Sequence, residues 1–135
     1  MADLPPGSPI PTPRPSAATR PLPVSIAGWI LVVAGSITGF GGLVVLAAGG
    51  ATTVARPLGA AYVAFGAAEL LAGAMVLRLR AAFRVIGVVL AVAGIVVDLG
   101  GLVLASSRWQ IVAVIGHAFV AYVLATSAEA FRRQG

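Results

Sequence analysis

Four long apolar runs follow one another along the chain and determine its architecture. They cover approximately residues 24–48, 57–77, 83–105 and 109–126. Each run approaches or exceeds the roughly 20 residues that cross the hydrocarbon core of a bilayer. In lipid a single helix satisfies its own backbone hydrogen bonds, and the alternating polarity of a membrane barrel strand is absent here. The pattern therefore predicts an all-α, four-helix transmembrane bundle.

The segment before the first run has a different composition. Residues 1–23 contain eight of the nine prolines, which fix φ and remove backbone donors. We predict a disordered, proline-rich cytoplasmic tail; the alternative is an extended docking peptide for a proline-binding partner. The first apolar run is longer than the roughly 7–15 residues of a signal-peptide core, so we interpret it as a retained helix.

Composition excludes the soluble classes of protein. The chain is 59% hydrophobic and 10% charged over 135 residues, with a mean hydropathy of +1.03. A soluble domain of this size could not bury so much apolar surface. The chain has no cysteine and a single histidine, which excludes disulfides, thiolate chemistry and a multi-histidine metal site. We therefore predict a non-enzymatic membrane protein without a metal or cofactor.

The basic residues indicate orientation in the membrane. All nine are arginines, and they flank the apolar runs, which favours a topological role over a nucleic-acid partner. The positive-inside rule then places both termini in the cytoplasm, across a cell membrane. A subset could also bind lipid head groups, namely Arg78, Arg80, Arg84, Arg132 and Arg133. The predicted cytoplasmic side has seven arginines (those five with Arg14 and Arg20), and the other side has two, Arg56 and Arg108.

Glycines recur every seven residues in the first three apolar runs. A seven-residue step keeps one helix face against a neighbour, and glycine lets two backbones approach closely in lipid. We predict that these glycines form helix-packing faces. They are Gly28, Gly35 and Gly42 in the first run, Gly59, Gly66 and Gly73 in the second, and Gly87, Gly94 and Gly101 in the third.

The first and third runs also resemble each other. With an offset of 59 residues, Gly28 meets Gly87 and the segment 41–44 meets the identical segment 100–103. A weaker match, with an offset of 60, relates the second run to the fourth. The two matches predict a duplicated helical hairpin, with both copies in the same orientation in the membrane. Such parallel repeats occur in transporters, and equally in inert bundles.

Three ionisable residues interrupt the apolar runs: Glu69, Asp98 and His117. Because a charge in the bilayer centre is costly, we expect all three to face the bundle interior. The short link at residues 106–108 makes the third and fourth helices antiparallel neighbours, so Asp98 and His117 can meet at a similar depth. Glu69 joins them if the second helix packs beside either one.

Two interpretations of these residues remain open. They form a proton-responsive site, or they form interhelical hydrogen bonds that fix helix register. The leading prediction for the protein is accordingly a structural or accessory membrane protein, which associates through its glycine faces with itself or with a larger complex. The alternative is a small proton-linked transporter or carrier that uses Glu69, Asp98 and His117.

Overall fold

Five helices make up the part of the chain that the structure describes. The computed structural model describes residues 20–48, 54–105 and 108–132, and these contain no strand. The first four helices are long and apolar enough to cross a membrane, which confirms the predicted all-α, four-helix bundle. The helices are α1 (Leu22–Ala48), α2 (Ala55–Leu77), α3 (Ala81–Ala105), α4 (Trp109–Thr126) and α5 (Ala128–Arg132). The predicted disordered tail lies outside the described residues up to position 19.

Three of the four long helices begin earlier than the apolar runs alone predict. Helices α1, α2 and α3 each start two residues before the predicted position. Pro23 is the second residue of α1 and Pro57 the third of α2, so both prolines lie in a first helical turn. Proline is tolerated there because the first backbone N–H groups have no partner within the helix. The proline-rich composition therefore extends into α1 without breaking it.

A tight turn joins α2 to α3. Leu79 has a φ of 54°, in the left-handed region that glycine usually occupies at a helix C-terminus. The Arg80 N–H donates to the Met75 carbonyl at 3.1 Å, and the Leu79 N–H donates to the Val76 carbonyl at 2.9 Å. These two backbone hydrogen bonds form a Schellman motif. Leucine occupies the strained position and its side chain is buried in the core.

In the hairpin formed by α1 and α2, glycines of one helix contact glycines of the other. Gly28 lies against Gly73, Gly35 against Gly66, and Gly42 against Gly59. A β-carbon at Gly35 would come within 2.6 Å of the Leu70 backbone nitrogen. The two antiparallel backbones therefore approach to a distance that no other side chain permits.

The hairpin of α3 and α4 uses its glycines differently. Three of the four glycines of α3 each receive a larger side chain of α4: Gly87 receives Leu124, Gly94 receives His117, and Gly101 receives Gln110. These three receiving contacts also recur every seven residues along both helices. The second hairpin therefore repeats the antiparallel register of the first, with large side chains where α2 has glycines.

This contact register defines which positions of the two hairpins correspond. The offset of 59 relates the glycines of α1 to those of α3, as the sequence predicts. Their partners, however, relate α2 to α4 with an offset of 51, so that Gly66 corresponds to His117. The weaker sequence match at 60 does not describe this packing. Alanine- and valine-rich helices align at several offsets, and only the contacts select one.

The apolar core lies toward one end of the bundle. We call the end where α1 begins and α4 ends the lower end, and the end where α1 ends and α4 begins the upper end. Buried side chains concentrate in the lower half, where Leu31, Val76 and Leu124 meet around Gly87. Phe131 of α5 extends this core and is 2% exposed. The other members are Val24, Ala27, Leu79, Ala91, Val120 and Val123.

Candidate functional site

A polar cluster spans three helices inside the bundle. The Nε2 atom of His117, on α4, lies 2.8 Å from Oε1 of Glu69, on α2. The Nδ1 atom of the same ring lies 2.8 Å from Oδ2 of Asp98, on α3. The structure thus brings together all three ionisable residues that the sequence places within the apolar runs. We call this group the triad.

Gly94 provides the space that the imidazole ring occupies. A β-carbon at Gly94 would come within 2.7 to 2.8 Å of three ring atoms of His117. Asp98 lies one helical turn after Gly94 on the same face of α3, so its carboxylate reaches the edge of the ring. The same glycine step that packs the helices therefore determines where the histidine can lie.

The α1–α2 contact positions Glu69 in the triad. Its β-carbon lies against Gly35, beside the point where Gly35 meets Gly66. Close approach of these two helices excludes lipid from this face of α2. The remaining spanning helix, α1, has no ionisable residue between Leu22 and Ala48. The described charged groups of the triad therefore come from α2, α3 and α4 alone.

Burial increases from one end of the triad to the other. The side chain of Asp98 is 19% exposed, that of His117 is 5% exposed and that of Glu69 is fully buried. A single unpaired charge at the centre of a spanning helix costs about 2.5 to 3.5 kcal/mol on insertion scales. Contact with the imidazole offsets part of this cost for each carboxylate. The graded burial makes Asp98 the accessible end of the triad and Glu69 the enclosed end.

The ring can hold its protons in two arrangements. An imidazolium donates one N–H to each of two carboxylates. A neutral imidazole donates a hydrogen bond to one carboxylate and accepts a hydrogen bond from the other group, which is then a protonated acid. Both arrangements contain the same number of protons and carry a net charge of −1. They differ by the movement of one proton along a single hydrogen bond, so the geometry permits proton transfer through the ring.

Glu69 retains one oxygen that could take a further proton. Its Oε2 atom is buried and has no hydrogen-bond partner. A buried carboxylate oxygen without a hydrogen-bond partner is energetically costly. One proton added at Oε2 would make the triad neutral. The arrangement is therefore chemically suited to taking up and releasing a single proton.

The glycine faces are used within the chain. All nine of the glycines predicted to pack lie against another helix of the same chain. Two others, Gly41 and Gly100, have open space where a β-carbon would point. All nine glycines therefore take part in the internal packing of the bundle. Their role in joining this chain to a second copy or a larger complex stays a prediction.

The predicted topology arginines have two different environments. Arg78, Arg80 and Arg132 are exposed, whereas Arg133 lies outside the described residues. Arg84 donates from its guanidinium to the carbonyl oxygens of Leu124, at 3.4 Å, and Ala125, at 3.3 Å. These carbonyls belong to the last turn of α4, whose final four carbonyls have no partner within the helix. Arg84 thus caps α4 from a neighbouring helix.

The sequence interpretation did not single out Gln110. Its side-chain nitrogen packs on Gly101, and its Oε1 atom is buried without a hydrogen-bond partner. Gln110 precedes His117 by seven residues, the same step that separates Gly94 from Gly101. That shared step is the signal that would have identified it.

No protein-family model, curated protein or solved structure matches this chain.

Proposed function

We propose that this protein is a small proton-linked membrane carrier in which the triad takes up and releases the coupled proton. One observation carries the proposal: within a membrane-spanning bundle, His117 contacts carboxylates from two other helices through both of its ring nitrogens. Ionisable residues at this depth are expensive and are used at proton relays. Histidine relays protons because one ring nitrogen can accept while the other donates.

The packing supports this function over a purely structural one. Register between α1 and α2 is already determined by three glycine contacts that involve no polar group. The second hairpin could use the same solution, yet it places His117 where the first hairpin has Gly66. Interhelical hydrogen bonds in membranes contribute about 0.6 kcal/mol on average, which is small beside the cost of inserting two acids. Stability alone therefore gives little reason for a triad at this position.

The distribution of charge supports an orientation for the carrier. In the described residues the lower end holds Arg20, Arg78, Arg80, Arg84 and Arg132, and the upper end holds Arg56 and Arg108. By the positive-inside rule the lower end faces the cytoplasm of a cell. The upper end, nearer to Asp98, then faces outward.

Amide variants separate proton handling from packing. Asp98→Asn and Glu69→Gln keep the shape of each side chain and retain a hydrogen bond to the imidazole. Neither amide takes up a proton near neutral pH. Glu129→Gln makes the same chemical change on α5, outside the triad, and serves as the matched control. Thermal unfolding in detergent reports whether each variant is folded.

The assay is proton movement into liposomes that contain a pH-sensitive dye, driven by an imposed pH gradient at a clamped membrane potential. We expect Asp98→Asn and Glu69→Gln to lower proton movement to the level of protein-free liposomes, and Glu129→Gln to match the unchanged protein. A pH-difference infrared spectrum provides a second readout, in which a carboxylic acid band is lost in Glu69→Gln. Full proton movement in folded amide variants would overturn the proposal and leave the triad as a packing contact.

A further inference from the structure

The surroundings of His117 are polar toward the upper end of the bundle and apolar toward the lower end. Toward the upper end, the face of α4 that carries His117 continues through Val114 to Gln110, at steps of three and four residues. On α3, Asp98 lies between Gly94 and Gly101, the glycines that receive His117 and Gln110. Two polar groups, Gln110 and Asp98, therefore lie at the α3–α4 contact between the beginning of α4 and His117.

Toward the lower end, the same face is apolar and closed. The next residues of α4 on this face are Val120 and Leu124, and both are fully buried. Leu124 fills the space at Gly87, where Leu31 and Val76 also lie within 3.6 Å of a β-carbon position. A proton would have to cross this packed layer to leave downward.

We infer that, in the conformation that the structure shows, protons reach the triad from the upper end only, along the α3–α4 contact past Gln110 and Asp98. This inference rests on the proposed function, because an access path matters only if the triad exchanges protons. Gln110 has a buried oxygen without a partner, and Asp98 is the most exposed member of the triad. Water entering between α3 and α4 meets these two groups in turn, and the packed layer around Gly87 stops it below Glu69.

The chain has no cysteine, so single cysteines report access without background. Val114→Cys and Val120→Cys are identical changes, each three residues from His117 in opposite directions along α4. Val114 is half-buried and Val120 is fully buried. Ile115→Cys controls for depth, because Ile115 is 63% exposed on the outer face of the bundle. Two further variants, Ser107→Cys and Gln134→Cys, identify which side of the membrane each end faces.

The reagent is a charged, membrane-impermeant thiosulfonate, which reacts with the thiolate in water. We expect Val114→Cys to react from the side that labels Ser107→Cys, about tenfold or more faster than Val120→Cys or Ile115→Cys, since apolar surroundings suppress the thiolate. Equal reactivity at Val114→Cys and Val120→Cys, or no reaction at Val114→Cys from either side, would overturn the inference.

Labelling does not require transport, so the two proposals can fail separately. Selective labelling of Val114→Cys without proton movement in liposomes would retain the access path and reject the carrier. Proton movement that depends on Asp98 and Glu69, with equal labelling above and below His117, would retain the carrier and reject one-sided access.

Discussion

An alanine in place of Gly94 puts a methyl group directly against the ring of His117. The added β-carbon would lie 2.7 Å from Nε2 and 2.8 Å from Cδ2 and Cε1 of the ring. Carbon atoms in contact settle at about 3.5 to 4.0 Å, so the ring must retreat from α3 by about 0.7 Å or more. Because Asp98 is on α3 as well, this movement lengthens the 2.8 Å contact between Nδ1 and Oδ2.

The expected loss of stability follows from three terms. Overpacking a well-filled site costs about 1 to 3 kcal/mol. Weakening the two hydrogen bonds of His117 costs about 0.6 kcal/mol for each, the average for interhelical bonds in membranes. Alanine is favoured over glycine within a helix by about 1 kcal/mol, which opposes both losses. We expect Gly94→Ala to lower the free energy of unfolding by about 1 to 3 kcal/mol.

Gly100→Ala is the matched control on the same helix. A β-carbon at Gly100 has open space within 4 Å, so this variant gains the helix preference without a clash. The assay is unfolding of the purified protein in mixed micelles, followed by circular dichroism, with proton movement measured in parallel. In a His117→Ala background the clash is removed, and Gly94→Ala should no longer destabilise. Equal stability of Gly94→Ala and Gly100→Ala would refute the reasoning that Gly94 provides the space for the ring.

Two further predictions concern helix packing and capping. Gly35→Ala should destabilise the α1–α2 hairpin by about 1 to 3 kcal/mol, because its methyl group would meet backbone atoms that cannot rotate away. Gly41→Ala should leave stability unchanged, since its site is open, and equal unfolding midpoints of the two variants in micelles would contradict the prediction. Arg84→Gln should lower stability by about 0.3 to 1 kcal/mol, the usual contribution of a cation at a helix C-terminus. Hydrogen exchange should show faster opening near Ala125, and unchanged protection there would argue against the cap.

Much of the architecture could be predicted from local sequence. Lipid leaves each apolar run no alternative to a helix, so four runs predict four spanning helices without knowledge of their contacts. The seven-residue step of Gly28, Gly35 and Gly42 identifies one face of α1 in the same way. Helix starts were less predictable, because Pro23 and Pro57 are compatible with a first turn although they resemble helix breakers.

The triad was predictable only in part. Opposition of Asp98 and His117 follows from the short link between α3 and α4, which fixes their depth in the membrane. Nothing local indicates whether α2 lies beside them, so Glu69 remained conditional on the arrangement of the two hairpins. Gln110 was missed because a single amide near a helix start is unremarkable until its packing on Gly101 is known.

The sequence by itself determined the helices, their antiparallel order and the presence of three costly ionisable side chains in lipid. These properties depend on hydropathy, loop length and charge, which act over a few residues at a time. Tertiary structure decided which glycine faces which neighbour, and therefore that His117 occupies the position in the second hairpin that Gly66 occupies in the first. That choice depends on interatomic distances between helices, which similar alanine- and valine-rich segments do not encode locally. The same packing closed the lower side of the triad with Leu124 and left Asp98 partly exposed.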